Sequence, residues 1–260
     1  MDSLPDDAVV QILLRLNDQK TLGQCLLVCR RWAQILTSSS SFWATKCKMD
    51  GRLVPTAVLE VARTGRHIDY CLVWRKNPYG RNLIKNDSGQ ERFQHWTILP
   101  ETWDESVEIE RSVVMHPIEK PPVGADGENI ECCFATSFVT AKKTQVIDLL
   151  AEGIESWILD DIRPSIIVSE WHAARWDCGS RYELAVALLG ANGRTAADHH
   201  QTCVVPQWEG GKWTQSVHTF TDYPRGIRFV AFTSAGKDTQ GWQGYFGAKM
   251  AKASVTLGFE

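Results

Sequence analysis

No long run of lysine and arginine occurs in this chain, and its aromatic residues do not interleave with a basic stripe. With a formal net charge of only −3, bulk electrostatics excludes nucleic acid as a natural partner. No apolar stretch is long enough to span a bilayer, so membrane insertion is not expected. The opening residues, MDSLPDDAVVQILLRLNDQ, lack a basic region, place acids inside the apolar stretch and show no small-residue cleavage site, so they do not read as a secretory signal. The eight cysteines (25, 29, 47, 71, 132, 133, 178 and 203) are scattered without a Cys-x-x-Cys pair, in a chain too long to need covalent staples. They are expected as reduced thiols of a cytoplasmic or nuclear protein. The sequon Asn86-Asp87-Ser88 matters only in a secreted chain and is read as a coincidence.

Catalytic signatures are missing as well. There is no Gly-x-Ser-x-Gly elbow, no phosphate-binding glycine loop and no His-Glu-x-x-His helix. Asp198-His199-His200 and Cys132-Cys133 are the clusters that suggest a metal or a nucleophile. Adjacent residues on a strand point to opposite faces, so neither pair chelates one ion easily. No cofactor or metal is expected, no catalytic residue can be named, and a binding role is favoured over an enzyme.

What remains is a chain of 260 residues, 43% hydrophobic and 23% charged, long enough for a sizeable core in one domain or two. Leu4-Pro5-Asp6-Asp7 combines a helix-compatible proline with first-turn acids, and Val9, Leu13 and Leu16 then recur on one helical face. Asp18 caps a second start. From Leu22 to Leu36 the series Cys25, Cys29, Trp32, Leu36 keeps helical spacing, widened by Leu26, Val28 and Ile35. Three short helices are expected before the serine run Ser38–Ser41 ends the pattern, with Phe42-Trp43 as a further apolar anchor. Residues 44–75 predict a helical connector with Val58, Val61 and Ala62 on one face, interrupted upstream by Gly51 and Pro55.

From about residue 76 the dominant period is two. Tyr182, Leu184, Val186 and Leu188 fall on one face of a strand, with Glu183, Ala185 and Ala187 on the other, and Asn192-Gly193 follows as a turn. KTQVIDLL, PSIIVSEW, KWTQSVHTF and GIRFVAF repeat the rhythm without intervening long helices, which favours an antiparallel sandwich over a doubly wound α/β sheet. Residues 235–241 are expected as turn, with a strand starting near Tyr245 on which Tyr245 and Phe246 alternate. Trp74, Trp96, Trp157, Trp171 and Trp213 are expected in the core or at its edge.

The first segment resembles an F-box through Leu4-Pro5, the Ile12-Leu13-Leu16 helix, Val28-Cys29-Arg30-Arg31-Trp32 and Phe42-Trp43. The resemblance implies docking onto the Skp-type adaptor, and through it the cullin, of an SCF ubiquitin ligase. Leu4, Pro5, Leu13, Leu16, Val28 and Trp32 would build the face shared by the helical core and the adaptor. A short helical segment leaves apolar side chains over after closing its own core, which agrees with a partner surface.

NPYGRNLIKNDSGQERFQHW, CFATSFVTAKKTQVIDLLAEG, YELAVALL, SVHTFTDYPRGIRFVAF and DTQGWQGYFGAKMAKASV are similar to the F-box-associated domain of the glycoprotein-recognising F-box proteins. The whole chain then predicts an α+β multidomain protein: an F-box at 1–47, a helical connector at 48–75 and a jelly-roll-like antiparallel β-sandwich at 76–260 that selects substrate. Certain members of that family are cytosolic lectins, binding the inner chitobiose of high-mannose N-glycans on misfolded glycoproteins bound for ER-associated degradation. Matched motif by motif, the resemblance places Phe138, Asp177, Trp242 and Gln243 at the glycan pocket, with Trp176 at its border. Gly241 and Gln243 replace a tyrosine and a lysine of the family pattern, removing one aromatic wall and one cationic donor. Two outcomes stay open: a lectin adaptor, or an F-box adaptor whose loops bind a protein surface without glycan recognition.

Overall fold

The computed structural model describes residues 4–100, 115–118 and 130–259; the stretches 101–114 and 119–129 of the expected sandwich lie outside the described residues. The chain divides into two units, Met1–Arg81 with Phe259–Glu260, and Asn82–Gly258.

The first unit is helical: α1 (Asp6–Leu14), α2 (Gln19–Cys25), α3 (Arg30–Ser38), α4 (Ser40–Met49), α5 (Thr56–Ala62) and α6 (Tyr70–Lys76). Asp6 and Asp7 lie in the first turn of α1, where the helix dipole favours negative charge. Asp18 caps α2 by accepting from the Thr21 amide at 2.7 Å. The apolar series from Leu22 to Leu36 is not one helix, because α2 stops at Cys25 and Cys29 is extended (φ −163°, ψ 164°) ahead of α3. Cys25 and Leu36 are buried and Cys29 is exposed, so the helical spacing there does not mark a single face. The break carries no glycine or proline, which is why pattern alone passes over it. The serine run also does more than end a helix. Ser39 accepts from the Phe42 amide at 3.1 Å and caps α4, so four helices rather than three precede residue 50.

A buried lysine ties this unit together. Lys46 of α4 is fully enclosed, donates to the Leu14 carbonyl (2.9 Å) and to Asn17 Oδ1 (3.0 Å), and pairs with Asp50 at 2.7 Å. Asp50 Oδ2 also accepts from Trp74 Nε1 at 2.6 Å, which joins α6 to α4.

Among the described residues, the second unit holds two five-stranded antiparallel sheets. Its strands are β1 (Thr97–Pro100), β2 (Met115–Ile118), β3 (Cys133–Thr136), β4 (Ala141–Asp148), β5 (Ser165–Ala173), β6 (Ser180–Gly190), β7 (Thr195–Val205), β8 (Thr214–Phe220), β9 (Ile227–Asp238) and β10 (Lys249–Gly258), with one π-helical turn at Ile158–Ile162. One sheet runs β1-β4-β9-β6-β7 and the other β2-β3-β10-β5-β8. The sandwich expected from the period of two is therefore the observed fold. Tyr182, Leu184, Val186 and Leu188 are all buried, facing a core that includes Ile166, Val168, Val230, Phe232 and Val255. Asn192-Gly193 forms the β6–β7 turn, with the Gly193 amide donating to the Gly190 carbonyl. Asn86 spends its side chain on structure: Nδ2 donates to the Arg92 and Gln94 carbonyls and Oδ1 accepts from the Glu91 amide.

Two expectations change at the C-terminal hairpin. Residues 235–238 are strand, not turn, and no strand starts near Tyr245; β9 runs on to Asp238 and β10 begins at Lys249. Ala235 and Gly236 are small because they pack rather than turn. A Cβ at Gly236 would stand 2.8 Å from both the Ala248 Cβ and the Met250 Cε. Tyr245 and Phe246 therefore belong to the connecting loop.

Candidate site on the loops at one end of the sandwich

Among the described residues, four loops meet at one end of the sandwich, and the strand registers fix this. Ser180 pairs with both Val205 and Asp238, and Lys249 pairs with both Ala135 and Ala173. The β3–β4, β5–β6, β7–β8 and β9–β10 connections thus share one end. Backbone bonds stitch them: the Asp238 amide donates to the Ser137 carbonyl (2.9 Å), Thr239 to Gly179 (3.0 Å) and Gly247 to Thr136 (2.9 Å). Glycine is required at 179 by close approach, since a Cβ there would lie 2.4 Å from Thr239 Oγ1 and 2.8 Å from the Val205 carbonyl oxygen.

The loop carrying Trp242 is held at both ends. Asp238, almost fully buried, accepts through Oδ1 from the amides of Gln240 (2.9 Å) and Gly241 (2.6 Å), a side-chain turn that launches the loop. At the other end Lys249 Nζ donates to the carbonyls of Tyr245 (2.9 Å) and Gly247 (2.7 Å). Burial pushes the Lys249 ammonium down to about 8, against the pull of Cys133, Cys178 and Asp238. Between the clamps Trp242 is 37% exposed and meets Phe246 edge-on, with ring centroids 6.1 Å apart at 84°. Its indole is neither sunk into the core nor free: it packs perpendicular to Phe246 while part of the residue stays exposed.

Phe138 is 41% exposed on the β3–β4 loop, next to the Ser137 carbonyl that receives the Asp238 amide. Asp177 lies on the β5–β6 loop with its carboxylate mostly covered and ion-paired to Arg175 Nε at 2.7 Å. The Arg175 guanidinium sits over the Phe246 ring at 4.5 Å. Contacts therefore run from Asp177 through Arg175 and Phe246 to Trp242, while Phe138 joins them through the backbone. Gln243 and Gly241 are exposed beside Trp242.

Among the described residues, two further exposed aromatics stand at this end. Trp176 (61% exposed) and Trp208 (65% exposed) form a tilted pair with centroids 5.7 Å apart. Trp208, on the β7–β8 loop, is the residue sequence pattern leaves unmarked; proline before it and glycines after it, in PQWEGG, are the signal of an exposed loop tip. His199 and His200 point to opposite faces of β7. His199 stacks on His218 of β8 at 3.8 Å, and His200 lies 3.8 Å from Glu183.

In the helical unit, Leu4 and Val28 are exposed (42% and 48%), Pro5 is exposed, and Leu16 and Trp32 are half-buried. Leu13 has no exposed surface: it belongs to the core and supports such a face from beneath. Ile12 and Leu27, exposed to 43% and 87%, add to the apolar surface. Asp6 pairs with Arg31, which brings the start of α1 beside the start of α3, so Leu4-Pro5 and Val28 flank one ion pair.

Residues 1–49 match the family described as F-box-like, and residues 74–257 match the F-box associated region. F-box only protein 2 of Bos taurus is 34% identical over 98% of this chain and 83% of its own length. Human F-box only protein 6 is 30% identical over 99% of this chain and 84% of its own, and F-box only protein 44 of Mus musculus is 30% identical over 99% and 96%. With both segments matched and the relatives aligned nearly end to end, the chain belongs to the F-box only proteins that carry an F-box associated region.

Proposed function

We propose that this protein is the substrate-recognition subunit of an SCF ubiquitin ligase, recruiting N-glycosylated misfolded proteins in the cytoplasm for ubiquitination and ER-associated degradation. The helical unit docks the Skp-type adaptor through Leu4, Pro5, Leu16, Val28 and Trp32, backed by Leu13, and the sandwich holds the client. The chain performs no covalent step; other subunits transfer ubiquitin. Exposed apolar side chains at Leu4, Leu27 and Val28 support the docking surface. Replacing Leu27 and Val28 by aspartate is expected to weaken adaptor capture about tenfold or more, the range of interface anchors, without lowering the melting temperature. Unchanged capture in a pull-down with purified adaptor would place docking elsewhere.

The observation that carries the glycan reading is Trp242, a partly exposed indole packed perpendicular to Phe246 on a loop clamped at both ends. A pyranose offers a face of C–H groups to such a ring, and its hydroxyls find the exposed amide of Gln243 and the uncovered part of the Asp177 carboxylate, which Arg175 holds in place. The experiment is capture of a high-mannose glycoprotein by the full-length chain, before and after enzymatic removal of the glycan. Trp242→Ala is expected to reduce capture about tenfold, the scale of one stacked aromatic contact. The alternative, recognition of a protein surface, is favoured by the absence of a second aromatic and a cation directly beside Trp242, where Gly241 and Gln243 stand. Capture that survives deglycosylation selects that alternative.

A further inference from the structure

We infer that Trp176 and Trp208 form a second saccharide-stacking platform, so that this end of the sandwich takes an oligosaccharide longer than the unit on Trp242; the inference rests on the glycan reading above. The two indoles come from different loops, and those loops are locked to each other. The Gly211 amide donates to the Ala174 carbonyl at 2.9 Å, and Gln207 Nε2 donates to the Asp177 carbonyl at 3.2 Å. Gly210 packs so closely that a Cβ would lie 2.1 Å from the Arg175 carbonyl oxygen. Trp208 itself holds φ +71°, a left-handed conformation that a bulky residue adopts rarely and keeps only where its surroundings enforce it. Both rings are thus presented on a rigid support while remaining about two-thirds exposed.

Exposing two adjacent indoles leaves a large apolar area in water, which marks a ligand surface more often than a solvated one. The surroundings favour sugar over an apolar peptide. Apart from its tryptophan, the tip ARWDCG supplies Arg175 and Asp177, and PQWEGGK supplies Gln207, Glu209 and Lys212; neither carries an aliphatic side chain larger than alanine or proline. Flat aromatic faces ringed by hydrogen-bonding groups suit polyhydroxylated rings, whereas an apolar peptide anchor needs an apolar pocket. The platform is also continuous with Trp242. Trp242 meets Phe246, Phe246 lies under Arg175, and Trp176 follows Arg175 in the chain and meets Trp208. On this inference an extended saccharide seated on Trp242 continues past Arg175 toward the second stacking surface.

The test titrates the full-length protein and its Trp176→Ala, Trp208→Ala and Trp242→Ala variants with two probes, the chitobiose disaccharide and an intact high-mannose N-glycan, by calorimetry. Trp176→Ala and Trp208→Ala are expected to weaken the intact glycan about tenfold and leave the disaccharide unchanged, while Trp242→Ala weakens both. Trp176→Tyr should restore most of the loss. If the wild type binds both probes and the Trp176 and Trp208 variants match it, the second platform is overturned and the Trp242 site stands. If neither probe binds the wild type, both assignments fall. An unglycosylated unfolded polypeptide that binds the wild type and is lost in Trp176→Ala, with glycan binding unaltered, replaces saccharide by polypeptide and equally overturns the assignment.

Discussion

Glu170→Ala is expected to destabilise the sandwich by about 3–5 kcal/mol, the usual result of removing one partner from a buried ion pair. Glu170 on β5 and Lys143 on β4 come from opposite sheets, meet at 2.5 Å and have no exposed side-chain surface. Tyr182 of β6 donates its hydroxyl to the other carboxylate oxygen at 2.8 Å. The lysine is otherwise surrounded by rings, with Nζ 3.8 Å from the Trp96 centroid, 5.2 Å from Phe134 and 5.7 Å from Phe232. Burial pushes the Lys143 amine down from the ordinary lysine range, opposed by Glu170, and pushes the Tyr182 hydroxyl well up. Without Glu170 the amine keeps its desolvation and loses the carboxylate it contacts, and the tyrosine hydroxyl loses its acceptor. The pairing is not in itself a large source of stability, since apolar replacements of buried pairs are often neutral. Lys143→Met introduced into the Glu170→Ala background should therefore recover much of the loss. Denaturant unfolding of the two single variants and the double variant gives the coupling directly. Additive losses would mean that Lys143 and Glu170 contribute through packing alone.

These same residues mark where sequence pattern loses its grip. The period of two in KTQVIDLL locates β4, yet its inward face is Ala141, Lys143, Gln145 and Ile147, while Val146 is 57% exposed. Hydropathy alternation finds the strand but would assign the lysine outward, because nothing local tells it that Glu170 waits on the opposite sheet. Gln145 behaves likewise, its amide closing both hydrogen bonds of the Lys85 backbone at 2.9 Å. In β6, by contrast, the inward residues from Tyr182 to Leu188 are apolar apart from a tyrosine with a partner, and the pattern gives both strand and face. The helical unit divides the same way: Asp18 is legible as a cap from its residue type, whereas the turn at 26–28 is built from Leu, Leu and Val and is invisible to propensity. At the candidate site, Trp242 is legible from the glycines around it. The pairing of Trp176 with Trp208 is not, because it depends on the strand order that brings the β5–β6 and β7–β8 loops together.

His172 sets the second large expectation, a loss of about 3 kcal/mol of stability on going from neutral pH to pH near 4. Its ring is 3% exposed and stacks on Tyr182, with centroids 4.1 Å apart and planes 11° from parallel. Burial lowers its pKa from the ordinary histidine value of 6.5 to about 4. In that interval the unfolded chain takes up a proton that the folded chain refuses, so unfolding is favoured as pH falls. The contribution is complete above the unfolded pKa and is removed progressively down to the folded one. His218, lowered by burial and by the neighbouring His199, acts in the same direction. The readout is therefore the difference between wild type and His172→Phe, which keeps a ring on Tyr182 but cannot titrate. Urea midpoints measured between pH 4 and pH 7 should fall toward acid, the variant losing less than the wild type whatever its stability at neutral pH. Parallel curves would show that His172 protonates as readily folded as unfolded. The consequence reaches the loops, because Glu170 and His172 lie on the strand that ends at Ala173, directly before Arg175, Trp176 and Asp177. Acid opening of this strand should accordingly release the Trp176–Trp208 pair at the same pH, visible as loss of the two indole N–H resonances from their folded positions.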